Sequence, residues 1–210
     1  IDENHPLSCT NPYAETKLAV EEILKKFCAN DKSRSVVSLR YFNPVGAHES
    51  SLIGENPSDI PNNLMPYIVN VANKELPYLN IFGENYDTVD GTGVRDYIHV
   101  MDLAESHLMA LNFIGLKAVS ENFIESSFSN QGFNCFNVGT GKGCSVLQLI
   151  KIFEEVNNIK IAYRFTQRRH GDVASCYANV DKAKEVFRWT AKRSVEEMCY
   201  SAWEYKKSLI

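Results

Sequence analysis

The 210-residue sequence has no apolar run near the roughly 18 residues that a membrane-spanning helix needs. Positive charge is not in excess either, since 26 Asp and Glu outnumber 22 Lys and Arg and give a net charge of −4. The sequence also has no N-terminal charged segment followed by an apolar one, the pattern typical of a signal peptide. These absences predict a soluble protein without a membrane or nucleic-acid partner.

Cysteines are few and scattered. The six cysteines form no Cys-x-x-Cys pair and have no histidine partners at the spacing of a zinc site. We therefore expect no metal site. Reduced thiols of this kind are typical of a cytoplasmic protein.

What the sequence does contain is the composition of an ordinary globular protein, 44% hydrophobic and 23% charged, in which helical and extended patterns alternate. This alternation predicts an α/β fold. The predicted helices are 12–28, 62–74, 102–114, 145–157, 181–188 and 194–207. The predicted strands are 35–42, 78–82, 94–100, 135–138 and 159–166.

Two segments have no periodicity. Residues 44–61 are rich in Gly, Ser, Asn and Pro and are long for a loop without function, so we expect them to line a site. Residues 115–134 predict a surface insertion. Tyr41 and Asn43 lie at the carboxyl end of the predicted strand 35–42, where ligands bind in open α/β sheets.

Tyr13 and Lys17 lie four positions apart at the start of the first predicted helix. This spacing brings a phenol beside an ammonium on one helix face. A nearby cation favours the phenolate, so the pair is a candidate acid/base. The alternative is an ordinary pair on a surface helix, because the two residue types often occur at this spacing.

Four further stretches follow the Tyr13-x-x-x-Lys17 motif. They are Arg40-Tyr41-Phe42-Asn43-Pro44, Ile60-Pro61-Asn62-Asn63-Leu64-Met65-Pro66-Tyr67, Gly91-Thr92-Gly93-Val94-Arg95-Asp96-Tyr97-Ile98-His99-Val100 and Arg169-His170-Gly171-Asp172. In this order, the five stretches resemble the UDP-galactose 4-epimerase family of the short-chain dehydrogenase/reductase superfamily. The resemblance covers the chain nearly from end to end and fails only at about 115–134.

The resemblance implies part of a Rossmann-type doubly wound sheet together with a smaller α/β substrate-binding domain. Residues 1–43 would end the NAD-binding domain, and 44–210 would form mainly the UDP-sugar domain, with segments that return to the sheet. The glycine-rich dinucleotide loop and a catalytic serine or threonine would lie upstream of Ile1, so we expect a fragment. The full-length protein would be a homodimer.

The resemblance also implies the chemistry. NAD would accept hydride from C4 of a UDP-hexose, Tyr13 would remove the hydroxyl proton, and Lys17 would hold the nicotinamide ribose. Tyr13, Lys17 and Tyr41 would therefore contact the cofactor. The substrate residues implied by the resemblance are Asn43, Asn62, Asn63, Leu64, Asn80, Ile81, Phe82, Arg95, Arg169, Asp172 and Cys176.

Arg95 and Arg169 suit a diphosphate because a guanidinium offers planar pairs of donors. Phe82 would pack on the uracil ring while nearby amide groups read its edge. Judged without the family, Ile81 and Phe82 are ordinary strand core. Cys176 matches a position beside the hexose, and its small side chain predicts that UDP-GlcNAc and UDP-GalNAc are accepted as well.

The segment Gly139-Thr140-Gly141-Lys142-Gly143 resembles a phosphate-binding loop, but its context does not. No acidic residue follows at the end of the next strand, and Lys142 is not followed by Ser or Thr. We therefore interpret it as a tight turn.

The overall hypothesis is a UDP-glucose 4-epimerase of galactose metabolism. The alternatives are another nucleotide-sugar enzyme of the superfamily, such as a dehydratase, and a non-catalytic nucleotide-sugar-binding module.

Overall fold

A computed structural model describes residues 1–9, 12–115 and 130–209. The helices are α1 (Pro12–Ala29), α2 (Leu64–Ala72), α3 (Val100–Phe113), α4 (Val146–Asn157), α5 (Asp181–Phe187) and α6 (Val195–Ser208). The strands are β1 (Ser35–Tyr41), β2 (Asn43–Val45), β3 (Leu79–Phe82), β4 (Val94–Arg95), β5 (Tyr97–His99), β6 (Gly132–Val138), β7 (Cys144–Ser145), β8 (Tyr163–Thr166) and β9 (Ser175–Cys176). The predicted α/β class is confirmed.

The first unit of the fold is the parallel pair β1–β6, in register from Ser35 opposite Gly132 to Tyr41 opposite Val138. Alternate residues of β1 face opposite sides, as a strand requires. On one side Arg40 forms an ion pair with Glu21 of α1, with 2.7 Å between Arg40 Nη2 and Glu21 Oε2. On the other side β1 packs on a core supplied by β5, β6, α3, α5 and the Trp189 segment. The pair is therefore covered on both faces.

The second unit has its own apolar core, built by α2, α4, α6 and the short strands between them. Its fully buried members include Ile68, Leu149, Phe153 and Met198. Three small sheets lie against this core: β2 with β5, β3 with β8, and β7–β4–β9. The first two are parallel, and ligands of α/β sheets bind at the carboxyl ends of such strands.

Two strand predictions were partly wrong. The strand predicted at 94–100 is divided at Asp96, because β4 pairs with β7 and β9 whereas β5 pairs with β2. The helix that follows starts at Val100, where the His99 ring accepts a hydrogen bond from the Met101 N–H as an N-cap. The strand predicted at 159–166 is formed only from Tyr163 onwards.

The predicted insertion at 115–134 ends earlier than expected, because β6 begins at Gly132 and not at Cys135. Residues 116–129 lie outside the described part of the chain. The two predicted capping boxes, Ser145 with Gln148 and Ser194 with Glu197, are confirmed at the starts of α4 and α6.

No helix in the described ranges is long and apolar enough to cross a membrane. All six cysteines lie in those ranges and carry free thiols.

Candidate functional site

An open cleft of about 140 Å³ lies between β2, β3, β4 and the first turn of α2. Ten of the eleven predicted substrate residues line it. They are Asn43, Asn62, Asn63, Leu64, Asn80, Ile81, Phe82, Arg95, Arg169 and Asp172. These residues come from five separate stretches of sequence, so the fold, and not proximity along the chain, brings them together.

β3 presents its residues to two different environments. Ile81 is only 2% exposed and belongs to the apolar core, as the ordinary strand interpretation requires. Phe82 is 39% exposed, so its ring is an apolar surface in the cleft rather than a core residue. Asn80 shares the face of Phe82, because side chains two positions apart point the same way.

Arg169 is held against this surface at two points. Its guanidinium carbon lies 4.6 Å from the centre of the Phe82 ring, and its Nε donates to Asp172 Oδ2 at 3.1 Å. Most of the Arg169 side chain remains exposed. The two terminal nitrogens of the guanidinium are therefore oriented and still accessible to a ligand.

Arg95 enters the cleft from β4. Its Nη1 donates to the Val94 carbonyl at 2.8 Å, and it forms no ion pair within residues 1–9, 12–115 and 130–209. The cleft lining in these ranges has two guanidinium groups and one carboxylate, that of Asp172. This charge balance favours an anionic ligand.

The amino end of α2 adds to this preference. Asn63 occupies the N-cap position, yet its side chain makes no capping hydrogen bond and instead donates to Glu55 Oε1 at 2.8 Å. The N–H groups of a first helical turn carry partial positive charge. Left without a side-chain cap, they complement the two arginines as donors for an anion.

Tyr13 and Lys17 lie outside this cleft, on α1. Lys17 Nζ is 5.1 Å from the centre of the Tyr13 ring, so the predicted pairing on one helix face is formed. Tyr13 is 70% exposed, and the described residues do not enclose it. Any group that contacts this pair must therefore approach from outside the described residues.

Tyr41 and Cys176 also lie outside the cleft lining. The Tyr41 hydroxyl shares a hydrogen bond with His107 Nε2 at 2.7 Å, at the carboxyl end of β1. Cys176 lies on β9 directly opposite Arg95, so both side chains leave the same face of the sheet. The position of Cys176 is therefore beside the cleft but not in its lining.

Seven cleft residues were not among the predicted substrate residues, although Pro44 and Val45 belong to the segment 44–61 that we expected to line a site. They are Pro44, Val45, Met65, Tyr86, Gly93, Tyr97 and Val146. Most of them flank predicted residues along the chain, so a search of the neighbours of each motif would have found them. The Tyr97 side chain is only 4% exposed, and this burial raises the pKa of its phenol.

The glycine-rich segment 139–143 forms the turn between β6 and β7, as predicted. Its N–H groups point at a side chain of the protein itself: Thr140 N and Gly141 N donate to the buried carboxylate of Asp96 at 2.8 and 2.9 Å. A Cβ at Gly139 would lie 2.5 Å from Asp96 Oδ2. Glycine is required because the carboxylate approaches the backbone so closely.

Comparison with known proteins places this geometry in a family. A family model described as GDP-mannose 4,6 dehydratase matches residues 1–202. UDP-glucose 4-epimerases of Bacillus subtilis and Homo sapiens are 49% and 47% identical to the chain, each over 99% of it. The chain spans 58% and 56% of the length of these two relatives.

Solved structures agree with these sequence matches. The UDP-glucose 4-epimerase of Stenotrophomonas maltophila, determined with NAD and formylated UDP-arabinopyranose, has a TM-score of 0.89 at 40% identity and matches 100% of this chain and 58% of its own. The Bifidobacterium longum enzyme, determined with NAD+ and UDP, has a TM-score of 0.88 at 42% identity and matches 99% and 58%. The α/β fold described here is that of these enzymes, with only part of the sheet present. The chain therefore belongs to the GDP-mannose 4,6 dehydratase family, and its resemblance to the UDP-glucose 4-epimerases is confirmed over nearly its whole length.

Proposed function

We propose that this chain is the UDP-sugar-binding part of an NAD-dependent enzyme that interconverts UDP-galactose and UDP-glucose. The observation that carries the proposal is the cleft, in which an exposed aromatic ring, two guanidinium groups and an uncapped helix start lie together. An aromatic surface suits a base, and the donors suit a diphosphate. The UDP moiety is thereby anchored at a distance from the reacting carbon, where its binding energy can orient the sugar.

Tyr13 and Lys17 are the proposed catalytic residues, and Tyr41 is a proposed cofactor contact. Because the Tyr13 ring is exposed with an ammonium beside it, the pair fits a cofactor ribose and a sugar hydroxyl that reach it from outside. When bound, NAD would supply a reversible acceptor for the hydride at C4 of the sugar. Tyr13 takes and returns the hydroxyl proton, while Lys17 holds the nicotinamide ribose.

The remaining parts of the proposal concern the whole protein. Residues 1–43 complete an NAD-binding domain and 44–210 form mainly the UDP-sugar domain. The protein acts as a cytoplasmic homodimer in galactose metabolism, and the dinucleotide loop lies in a part of the protein outside this chain. The exposed apolar residues of α1, Val20, Ile23 and Phe27, support a larger assembly, since a single chain does not usually expose such a stripe.

Cys176 extends the proposal to N-acetylated sugars. A small residue beside Arg95 leaves volume for an acetamido group, whereas overfilling a packed site costs about 1–3 kcal/mol. We expect the complete enzyme to epimerise UDP-GlcNAc as well as UDP-glucose, and Cys176→Tyr to lose the first activity alone. A wild-type enzyme inactive on UDP-GlcNAc would remove this part of the proposal.

Two other functions would use the same fold. A dehydratase of the same family is compatible with the fold, but the relatives that are 47–49% identical over 99% of the chain are epimerases. A non-catalytic binding module would use the cleft in the same way and would leave Tyr13 without a role.

An experiment can separate these functions by supplying the part of the protein that lies outside this chain. The chain is co-expressed with the segment of the Bacillus subtilis relative that lies outside the match, and epimerase turnover is measured with NAD and UDP-galactose. Tyr13→Phe should lower turnover by about 10²-fold or more while UDP affinity is unchanged. Tyr200→Phe, an exposed tyrosine on α6, is the matched control. Equal turnover in Tyr13→Phe and wild type would refute the catalytic assignment, and dehydrated product would favour the dehydratase.

A further inference from the structure

Asn80 is oriented by a residue that none of the family motifs contains. Its Oδ1 accepts a hydrogen bond from Arg164 Nε at 2.8 Å. The two residues are directly opposite each other in the parallel pair β3–β8, so their side chains share one face of the sheet. Arg164 is held in turn by Tyr78, whose ring centre lies 4.0 Å from the guanidinium carbon.

The chemistry of this contact determines which end of the Asn80 amide remains for a ligand. An asparagine side chain carries one acceptor group and one donor group, whereas a guanidinium has donors only. The Asn80 oxygen must therefore face Arg164. The NH₂ group is left to the cleft that Asn80 lines beside Phe82. Without Arg164, the amide is free to turn and offer either group.

We propose that Arg164 is a positioning residue that fixes Asn80 as a hydrogen-bond donor, and that this donor gives the cleft its preference for uracil over cytosine. The inference rests on the proposed function, in which Phe82 packs on the base and amide groups read its edge. Uracil has a carbonyl oxygen at C4, where cytosine has an amino group. A fixed NH₂ group pairs with the carbonyl but leaves both donors unpaired when it meets the amino group, which is costly in a desolvated contact.

The test is the ratio of UDP to CDP affinity, measured by calorimetry on the same co-expressed protein. Wild type should bind UDP at least about tenfold more tightly than CDP. Arg164→Ala should reduce this ratio about fivefold, because the freed amide can turn to accept from cytosine. Asn80→Asp keeps the contact with Arg164 but presents an acceptor, so it should favour CDP.

Arg168→Ala is the matched control. Arg168 stacks on Tyr86 with the same 4.0 Å separation and carries the same charge, but its side-chain hydrogen bonds go to Asn85 and not to Asn80. The UDP to CDP ratio should not change in this variant. An unchanged ratio in both Arg164→Ala and Asn80→Asp would overturn the inference and leave the proposed function standing. Failure of wild type to bind UDP would overturn the proposed function itself.

Discussion

Replacing Asp96 with asparagine should destabilise the fold far more than the same substitution of an exposed aspartate would. The Asp96 carboxylate is 0% exposed and accepts four hydrogen bonds, from Thr140 N, Thr140 Oγ1, Gly141 N and Ala178 N, at 2.6–3.2 Å. These donors belong to the glycine-rich turn and to the segment after β9. One side chain therefore holds together two distant parts of the chain next to the cleft residues Arg95 and Tyr97.

The magnitude follows from the number of donors that lose an acceptor. Asparagine has one carbonyl oxygen, so its NH₂ group must face at least one backbone N–H that Asp96 now satisfies. A buried donor left unpaired costs about 1–3 kcal/mol, and the remaining bonds weaken because a neutral acceptor replaces a charged one. We expect a total loss of about 3–5 kcal/mol. For a chain of this size that corresponds to a Tm lower by roughly 10 °C.

Urea unfolding followed by tryptophan fluorescence measures this loss. Trp189 lies in one core and Trp203 packs against the other, so fluorescence reports on both units. Thr140→Val, which keeps the Thr140 and Gly141 N–H donors to Asp96, should cost only about 1–2 kcal/mol. A loss below 1 kcal/mol in Asp96→Asn would refute the conclusion that the carboxylate organises this turn.

Two further predictions concern stability. Burial lowers the pKa of His99, so the unfolded chain binds a proton at this residue more readily than the folded chain does. The free energy of unfolding should therefore be constant above about pH 6.5 and fall below it, and the fall should be smaller in His99→Asn. An equal fall in the variant and the wild type would exclude His99 as the cause. Glu21→Gln should lower the free energy of unfolding by about 1–2 kcal/mol, because Arg40 donates to both Glu21 carboxylate oxygens in a half-buried pair. Glu22→Gln removes only the exposed pair with Lys25 and should cost at most about 0.5 kcal/mol. Urea unfolding of the two variants measures the difference, and equal losses would contradict the prediction.

The features predicted correctly from the sequence are mainly local ones. Both capping boxes depend on residues three positions apart, so the sequence contains the whole signal. The strand at 94–100 was predicted as continuous because its alternation says nothing about pairing partners. Asp96 divides it, because its buried carboxylate accepts hydrogen bonds from the N–H groups of residues 140, 141 and 178, which are distant in the sequence.

The candidate site was predictable for a different reason. Composition and spacing alone do not assign Asn80 or Asp172 to a ligand site. The resemblance to a known family does. The contact between Arg164 and Asn80 was not predictable in this way. It depends on the register of β3 with β8, across 84 positions of sequence, and neither strand carries a signal for that register.

The arrangement also indicates how binding and chemistry are divided. The N–H donors at Thr140 and Gly141 are engaged by Asp96, so these two donors of the glycine-rich turn are not available to a phosphate. Arg95, Arg169 and the start of α2, all of which belong to the cleft, are the groups that we propose for anion recognition. Tyr13 and Lys17 lie outside the cleft and are open to solvent. The proposed nucleotide contacts and the proposed catalytic pair therefore lie in separate parts of the chain.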